Sequence, residues 1–374
     1  MKKTSPELLL NSVSLRFPEL LRTYQIHRKV FDRPLNFDAF YRTLSHGVQK
    51  PDHQFLEWFV GFSEGESCFY VGPSGRCSFS IAQRDEPLLQ LIQQTLGFGS
   101  IYPDRRSPGV FQYRVESFKK DVFPLIQLFN GNLLLKKTNE RFKLWVANYN
   151  RRCGTELHVV SRWDDTFKPV IKIFQEDPVA LQNTSVVWNS SWFSGFVDGE
   201  GCFSVDLGKP DVERLKFRGI PRFQIAQKAE AELMLNIAFL IGRGCFSRKI
   251  NGIPGTTQEN GIYQFEARSR ISLKRIQEYL KKHPLRGKKA LSYSKWCQAI
   301  VELEKCKVLL DLASSKGLLR RYKVSRALNR GCESITSRDR GATSFLYEEH
   351  EKLVALVKNI NPVGFSKKDR KVQV

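Results

Sequence analysis

A twelve-residue segment occurs twice, as "WFVGFSEGESCF" from Trp58 to Phe69 and "WFSGFVDGEGCF" from Trp192 to Phe203, 134 residues apart. A chain that repeats a helix and everything behind it folds as two similar units, so this duplication constrains the fold more than any other feature. Behind each copy comes "FSIAQRD" from Phe79 or "FQIAQKA" from Phe223, then an amphipathic segment over 87–96 or 230–241. Next comes an alternating segment, "FQYRVES" from Phe111 or "YQFEARS" from Tyr263, and then a basic helix start, "NLLLKKTNERFKLW" from Asn132 or "HPLRGKKALSYSKW" from His283. Each unit reads as helix, hairpin, helix, hairpin, helix.

The strand assignments rest on period-two alternation: Phe111, Tyr113 and Val115 face one way, Gln112, Arg114 and Glu116 the other. Tyr263, Phe265 and Ala267 alternate with Gln264, Glu266 and Arg268 in the second copy. One sheet face is buried, and the other carries the residue types that read base edges in a major groove. The organisation is an extension over 1–50, a first domain over 51–150, a linker over 151–189 with Pro169 and Pro178, a second domain over 190–305, and an extension over 306–374. Both extensions are helix-like, as in "EEHEKLVALVKNI". Between Glu200 and Gln227 the second copy has ten more residues than the first has between Glu66 and Gln83, including "GKPDVERLKFRG", which reads as a longer hairpin tip. The two halves are therefore expected to contact different sequences.

Composition narrows the partner. Sixty Lys and Arg against 38 Asp and Glu give a formal charge of +22, which favours a polyanion through attraction and counterion release, and 41% hydrophobic residues suffice for a core. No apolar run approaches the ~18 residues of a membrane span. The eight cysteines form no CxxC pair, so no zinc framework is expected, and a reducing compartment is. "NTS" at Asn183 fits a glycosylation triplet without other signs of secretion. The stretch "MKKTSPELLLNSVSLRFPELLR" loosely resembles a transit peptide, against which Glu7 and Glu19 argue.

In each copy two glycines stand four apart, Gly61 with Gly65 and Gly195 with Gly199. Glycine costs about 1 kcal/mol in a helix interior, so such a pair on one face implies close approach of another backbone, and the natural partner is the other copy. Side-by-side packing brings Glu66 and Glu200 together at the negative ends of both helices. A hard divalent ion with oxygen ligands, Mg2+ in a cell, relieves both problems and points to metal-assisted phosphodiester cleavage. Glu64 and Asp198, two residues earlier, are expected to bond to nearby backbone or a basic neighbour.

These residues resemble the two-motif, single-chain LAGLIDADG homing endonucleases. The nine-residue motif matches "FVGFSEGES" (Phe59 to Ser67) and "FSGFVDGEG" (Phe193 to Gly201), within a resemblance running from Pro51 to Lys305. It implies an α+β fold: two pseudo-symmetric αββαββα units with the motif helices at the inter-domain seam and saddle-shaped antiparallel sheets over DNA. It makes Glu66 and Glu200 the catalytic acids and lets Gly65 and Gly199 offer carbonyls to the metal or its waters. It further implies a water network with Gln83, Gln227, Lys289 and Lys137, although the spacing to the next aromatic is one residue longer in copy one, which keeps Lys136 open. Strand parity puts Gln83 on the side of Phe79 and Ile81, so the strand end twists or Gln83 is a core residue. Ser67 replaces the last motif glycine and is expected to strain the turn if φ must be positive there.

The resulting expectation is a monomeric, Mg2+-dependent endonuclease, with Ca2+ or Mn2+ able to occupy the same sites. It would recognise about 20 base pairs of non-palindromic double-stranded DNA, one helical turn per half, and cut both strands across the minor groove. Candidate DNA contacts by parity are Arg84, Gln112, Arg114, Arg222, Gln224, Lys228, Gln264, Arg268 and Arg270. The alternatives are an intron maturase that binds its host intron RNA on the same scaffold, and a DNA-binding regulator without cleavage. The resemblance implies a mitochondrial or chloroplast setting and an intron-encoded frame.

Overall fold

The computed structural model describes residues 15–45, 49–164, 184–209, 218–242, 244–249, 261–315, 337–358 and 360. Helix α1 (Pro18–His27) is entered through a proline, whose missing N–H costs nothing in a first turn. The first repeat begins where the Asp52 carboxylate accepts the Phe55 N–H at 3.3 Å and caps α2 (His53–Glu66). There follow β1 (Ser67–Val71), β2 (Cys77–Gln83), α3 (Glu86–Leu96), β3 (Ser100–Pro103), β4 (Phe111–Val115), α4 (Phe123–Phe129) and α5 (Lys136–Cys153). The second repeat runs α6 (Trp192–Glu200), β5 (Cys202–Leu207), β6 (Gly219–Lys228), α7 (Ala231–Ile241), β7 (Cys245–Lys249), β8 (Ile262–Ala267), α8 (Arg270–Lys282) and α9 (Lys289–Ser315), with α10 (Ser337–Lys358) beyond it. Each repeat thus has the expected order plus one helix, α4 or α8, ahead of the basic one.

The two four-stranded sheets have the same topology, β1-β2-β4-β3 and β5-β6-β8-β7. In the first, Phe79 pairs with Phe69 on one side and Val115 on the other, so the alternating apolar residues fall on one face. That face is buried, and Phe69 packs against Phe79, Phe129, Phe142 and Trp145. The α+β architecture of two pseudo-equivalent units is as the sequence leads one to expect. The hairpin between β5 and β6 closes where Gly208 N–H donates to the Arg218 carbonyl at 2.7 Å, while the tip expected from "GKPDVERLKFRG" lies largely outside the described residues. So do Pro169 and Pro178 of the linker.

The chain separates into two compact units, Met1–Cys202 with Gln224–Lys288, and Phe203–Phe223 with Lys289–Val374. Strand β6 passes from the second to the first between Phe223 and Gln224. The first unit contains both motif helices. In the second, Phe203 packs on Phe223, Tyr293 and Trp296, and the Trp296 indole donates to the Ser204 carbonyl at 3.2 Å.

The segment before α2 holds to both repeats within the first unit. Tyr24 of α1 is buried, with its ring 5.4 Å from Phe239 of α7 and its hydroxyl accepting from Asn236 at 3.1 Å. Asn36 and Asn132 exchange backbone and amide hydrogen bonds at 2.9 and 2.7 Å on the first-repeat side. Arg162, 3% exposed, spends its guanidinium on the carbonyls of Gly131, Val30, Arg33 and Pro34, at 2.7, 3.1, 2.7 and 2.8 Å. Burial lowers its pKa to about 10, which leaves it charged at neutral pH, and the carbonyls supply the solvation that water would.

Candidate active site

The apolar residues of α2 and α6 surround a stripe of Gly61 and Gly65 on one helix and Gly195 and Gly199 on the other. A Cβ at Gly61 would lie 1.9 Å from the Trp192 carbonyl oxygen, and one at Gly195 would lie 1.9 Å from that of Trp58. The backbones therefore touch at this crossing, as the paired glycines require. Each tryptophan reaches across it. The Trp192 indole donates to Glu64 Oε2 at 2.7 Å and the Trp58 indole to Asp198 Oδ2 at 2.9 Å.

Those two acids serve the backbone, in agreement with their expected structural role. Glu64 Oε1 accepts from the N–H groups of Leu134 and Leu135 at 2.8 and 2.7 Å. Asp198 Oδ2 accepts from Arg286 N–H at 2.8 Å and Gly287 N–H at 3.4 Å. Burial pushes the Glu64 carboxyl up to about 7, against the pull of these donors.

The last residues of both helices are Glu66 and Glu200, half-buried, with no basic residue in either last turn. A Cβ on Gly65 would sit 3.3 Å from Glu200 Cγ, and one on Gly199 would sit 3.2 Å from Glu66 Cγ and 3.6 Å from its Oε1. Each glutamate thus lies over the glycine of the opposite helix, where a Cβ would meet it in tight contact. Carboxylates beside a cleared backbone make a hard oxygen donor set, and among the described residues no group of three His, Cys, Asp or Glu gathers around a point. The set fits a divalent cation that takes few protein ligands and fills its shell with carbonyls, waters and phosphate oxygens, as Mg2+ does.

The turn after the helices corrects one expectation. Ser67 has φ −92° and ψ 161°, and Gly201 has φ −69° and ψ 151°, so both are extended and Ser67 carries no positive-φ strain. What differs is space. A Cβ at Gly201 would fall 2.7 Å from Val197 Cγ1 and 2.8 Å from the Val197 carbonyl oxygen. Ser67→Gly should therefore leave stability within about 0.5 kcal/mol, whereas Gly201→Ser should cost about 1–3 kcal/mol by overpacking. Urea melts of the two variants check this, and equal midpoints would refute it.

Gln83 and Gln227 are half-buried at or near the ends of β2 and β6, on the parity of the buried face. Ser67, next to Glu66, pairs with Ile81, two residues before Gln83. Gln83 is therefore a strand-end residue and not a core one. Lys137 sits in the first turn of α5 and Lys289 opens α9, in the second unit. The backbone bonds around these helix starts repeat in step: Glu64 holds Leu134 and Leu135 as Asp198 holds Arg286 and Gly287, which registers Lys136 with Lys288 and Lys137 with Lys289.

Of the candidate DNA contacts, Arg84 is exposed in the bend after β2. Arg114 is exposed on the outer sheet face, and its Nε donates to Gln112 Oε1 at 2.8 Å while Gln112 Nε2 donates to Asp104 at 3.0 Å. Lys228 is exposed at the end of β6, Gln264 is half-buried opposite Ser247, and Gln224 donates to Glu266 at 2.8 Å. In the second unit Arg222 pairs with Asp206. Strand parity extends to Arg268, which is exposed one residue past β8, but not to Arg270. Strand β8 ends at Ala267, Ser269 caps the next helix by accepting from Ser272 N–H, and Arg270 is the first residue of α8. Arg268 pairs with Glu266, itself 8% exposed, so the polar face is not uniformly open. Sequence reasoning missed Tyr70 and Tyr102 of the first sheet, 53% and 49% exposed on its edge strands β1 and β3. The alternation in "SCFYV" and "SIYP" was the available signal.

A helix seam carrying one acid from each of two duplicated α+β halves defines a single-chain pseudo-dimer. Residues 59–149 and 193–300 match the sequence profile of the LAGLIDADG endonuclease family, more than half of the chain in two segments. The chain belongs to that family. It is 27% identical over 245 residues to "Probable intron-encoded endonuclease 4" of Neurospora crassa, covering 65% of this chain and 39% of that protein. It is 23% identical over 311 residues to "Probable intron-encoded endonuclease Cox1-I1b" of Schizosaccharomyces pombe, covering 79% of this chain and 77% of that one. The chain thus spans about two fifths of the length of the Neurospora relative. It shares its fold with the I-SmaMI LAGLIDADG homing endonuclease bound to cleaved DNA, at 21% identity over 74% of this chain and 97% of that one, TM-score 0.53. The LAGLIDADG meganuclease I-AabMI bound to uncleaved DNA matches over 72% and 97%, at 21% identity and TM-score 0.50.

Proposed function

We propose that the chain is a site-specific DNA endonuclease that hydrolyses both strands of a long, non-palindromic duplex with a divalent metal, Mg2+ in the cell. The observation that carries this reading is the meeting of two acid-bearing helix ends, each glutamate lying over the glycine of the other helix. Glu66 and Glu200, with the Gly65 and Gly199 carbonyls, would hold the metal. When bound it would supply charge neutralisation at the scissile phosphate and a water of lowered pKa. Gln83, Gln227, Lys137 and Lys289 would orient waters around the reacting phosphates, and the outer sheet faces, with Arg84, Gln112, Arg114, Gln224, Lys228 and Gln264, would track the grooves. Names of the relatives as intron-encoded endonucleases support an intron-encoded frame and an organelle setting.

The test is cleavage of a plasmid library with a randomised insert, in Mg2+ and in EDTA. Linearised product in Mg2+ alone supports the reading, and no product with any insert, the outcome expected of an RNA-binding maturase, overturns it. The charge of +22 predicts, in addition, steep salt dependence. If six or more phosphates are neutralised, Kd for the selected duplex should rise by ~10³ or more between about 50 and 200 mM salt. A Kd indifferent to salt in fluorescence anisotropy would remove the sheets as a DNA surface.

A further inference from the structure

Helix α5 has no local cap: Leu135 precedes it, and no side chain there bonds to the first turn. The N–H groups that open it are held instead by two carboxylates from different repeats. Glu64 of the first takes Leu134 and Leu135, and Glu230 of the second takes Lys136 N–H at 3.0 Å and Lys137 N–H at 2.8 Å. Glu230 is 2% exposed. Ala229 before it adopts φ 59°, a left-handed conformation that is uncommon outside glycine, with its N–H donating to the Gly261 carbonyl at 2.8 Å. The second copy mirrors this. Asp198 takes Arg286 and Gly287, and Asp85 of the first repeat, 8% exposed, takes Lys288 N–H at 2.6 Å.

A distant cap serves helix stability no better than a serine at position 135 would, but it ties the helix start to the other repeat. The tie falls at Lys136 and Lys137, which also line a cleft of about 630 Å3 with Glu19, Thr23, Glu140 and Arg141. The backbones of both lysines are fixed from one side while both residues border open space.

On the proposed function, we infer that Glu230 and Asp85 are positioning residues exchanged between the repeats. Glu230 sets the helix start that carries Lys137, and Asp85 sets the one that leads into Lys289, so cutting of each strand depends on a carboxylate of the opposite repeat.

The experiment uses the full chain, the selected duplex labelled separately on each strand, and Mg2+. Because a small misplacement of a catalytic group costs up to ~10²-fold, Glu230→Gln should slow one strand by about 10-fold or more, the same strand that Lys137→Met slows. The other strand should stay within about twofold, and Kd should not move. Asp85→Asn should slow the opposite strand. Combining Glu230→Gln with Lys137→Met should slow that strand no further than Lys137→Met alone, because the carboxylate acts through the lysine. Equal slowing of both strands by either carboxylate variant, no slowing, or multiplied effects in the double variant overturn the inference while leaving the endonuclease reading intact. Wild-type protein that cuts neither strand overturns both. Should Glu230→Gln fail to fold, Asp85→Asn alone decides by the same strand criterion.

Discussion

Glu66→Gln and Glu200→Gln should each bind the selected duplex with a Kd within about threefold of wild type, yet lose double-strand cleavage by ~10³ or more. The amide has the shape of the carboxylate, so Cγ still lies over the opposite glycine and the seam keeps its packing. What is lost is the negative charge. A neutral amide is a poor ligand for a hard dication, so on the proposed function the one remaining carboxylate would hold the metal poorly. On the proposed function binding would survive, because it would rest on cations and sheet residues elsewhere, and removing a negative charge near phosphates does not weaken it. Anisotropy in Ca2+ and gel assays in Mg2+ separate the two quantities. Linear product at the wild-type rate from either variant would show that the paired acids are not the metal's ligands.

The seam and the sheets were legible because they obey local rules. The spaced glycines demanded a backbone contact, strand alternation gave the buried faces, and residues two positions before the helix ends were assigned to backbone bonding, as Glu64 and Asp198 show. The unread part depends on tertiary reach. Glu230 and Asp85 play matching roles, but they stand at different offsets from the strand glutamines, three residues after Gln227 and two after Gln83. Only the left-handed turn at Ala229 reconciles the offsets, and no residue preference announces it. Arg162 looks in sequence like one of many cations, yet its four partners are backbone carbonyls, which leave no trace in side-chain patterns. Parity overreached at Arg270 because alternation continues to look plausible past the point where Ser269 starts a helix. The strain expected at Ser67 assumed a left-handed exit, whereas the chain leaves the helix directly into a strand.

The second large effect belongs to the glycines at the crossing. In an exposed helix Gly→Ala gains about 1 kcal/mol, so Gly61→Ala or Gly195→Ala would stabilise the protein if propensity decided. Here the new methyl would stand 1.9 Å from a carbonyl oxygen of the other helix, backbone against backbone, with no flexible side chain to yield. The helices must part by more than an ångström, and overpacking of this kind costs about 1–3 kcal/mol by itself. Parting also stretches the bonds from Trp192 to Glu64 and from Trp58 to Asp198, both buried and at 2.7 and 2.9 Å. Hydrogen bonds to charged groups are worth about 1.5–3 kcal/mol each. The sum opposes and exceeds the propensity gain, so each variant should lose about 3 kcal/mol or more, a fall in Tm of about 4 °C or more for a chain of this size. Cleavage should fall further than stability, because the same displacement moves Glu66 away from Glu200 in molecules that remain folded. Gly72→Ala is the control, since its Cβ would meet nothing closer than 3.6 Å and it should melt with wild type. A Gly61→Ala protein that melts and cuts like wild type would mean that the two backbones do not touch, and with them the acids would lose their reason to meet.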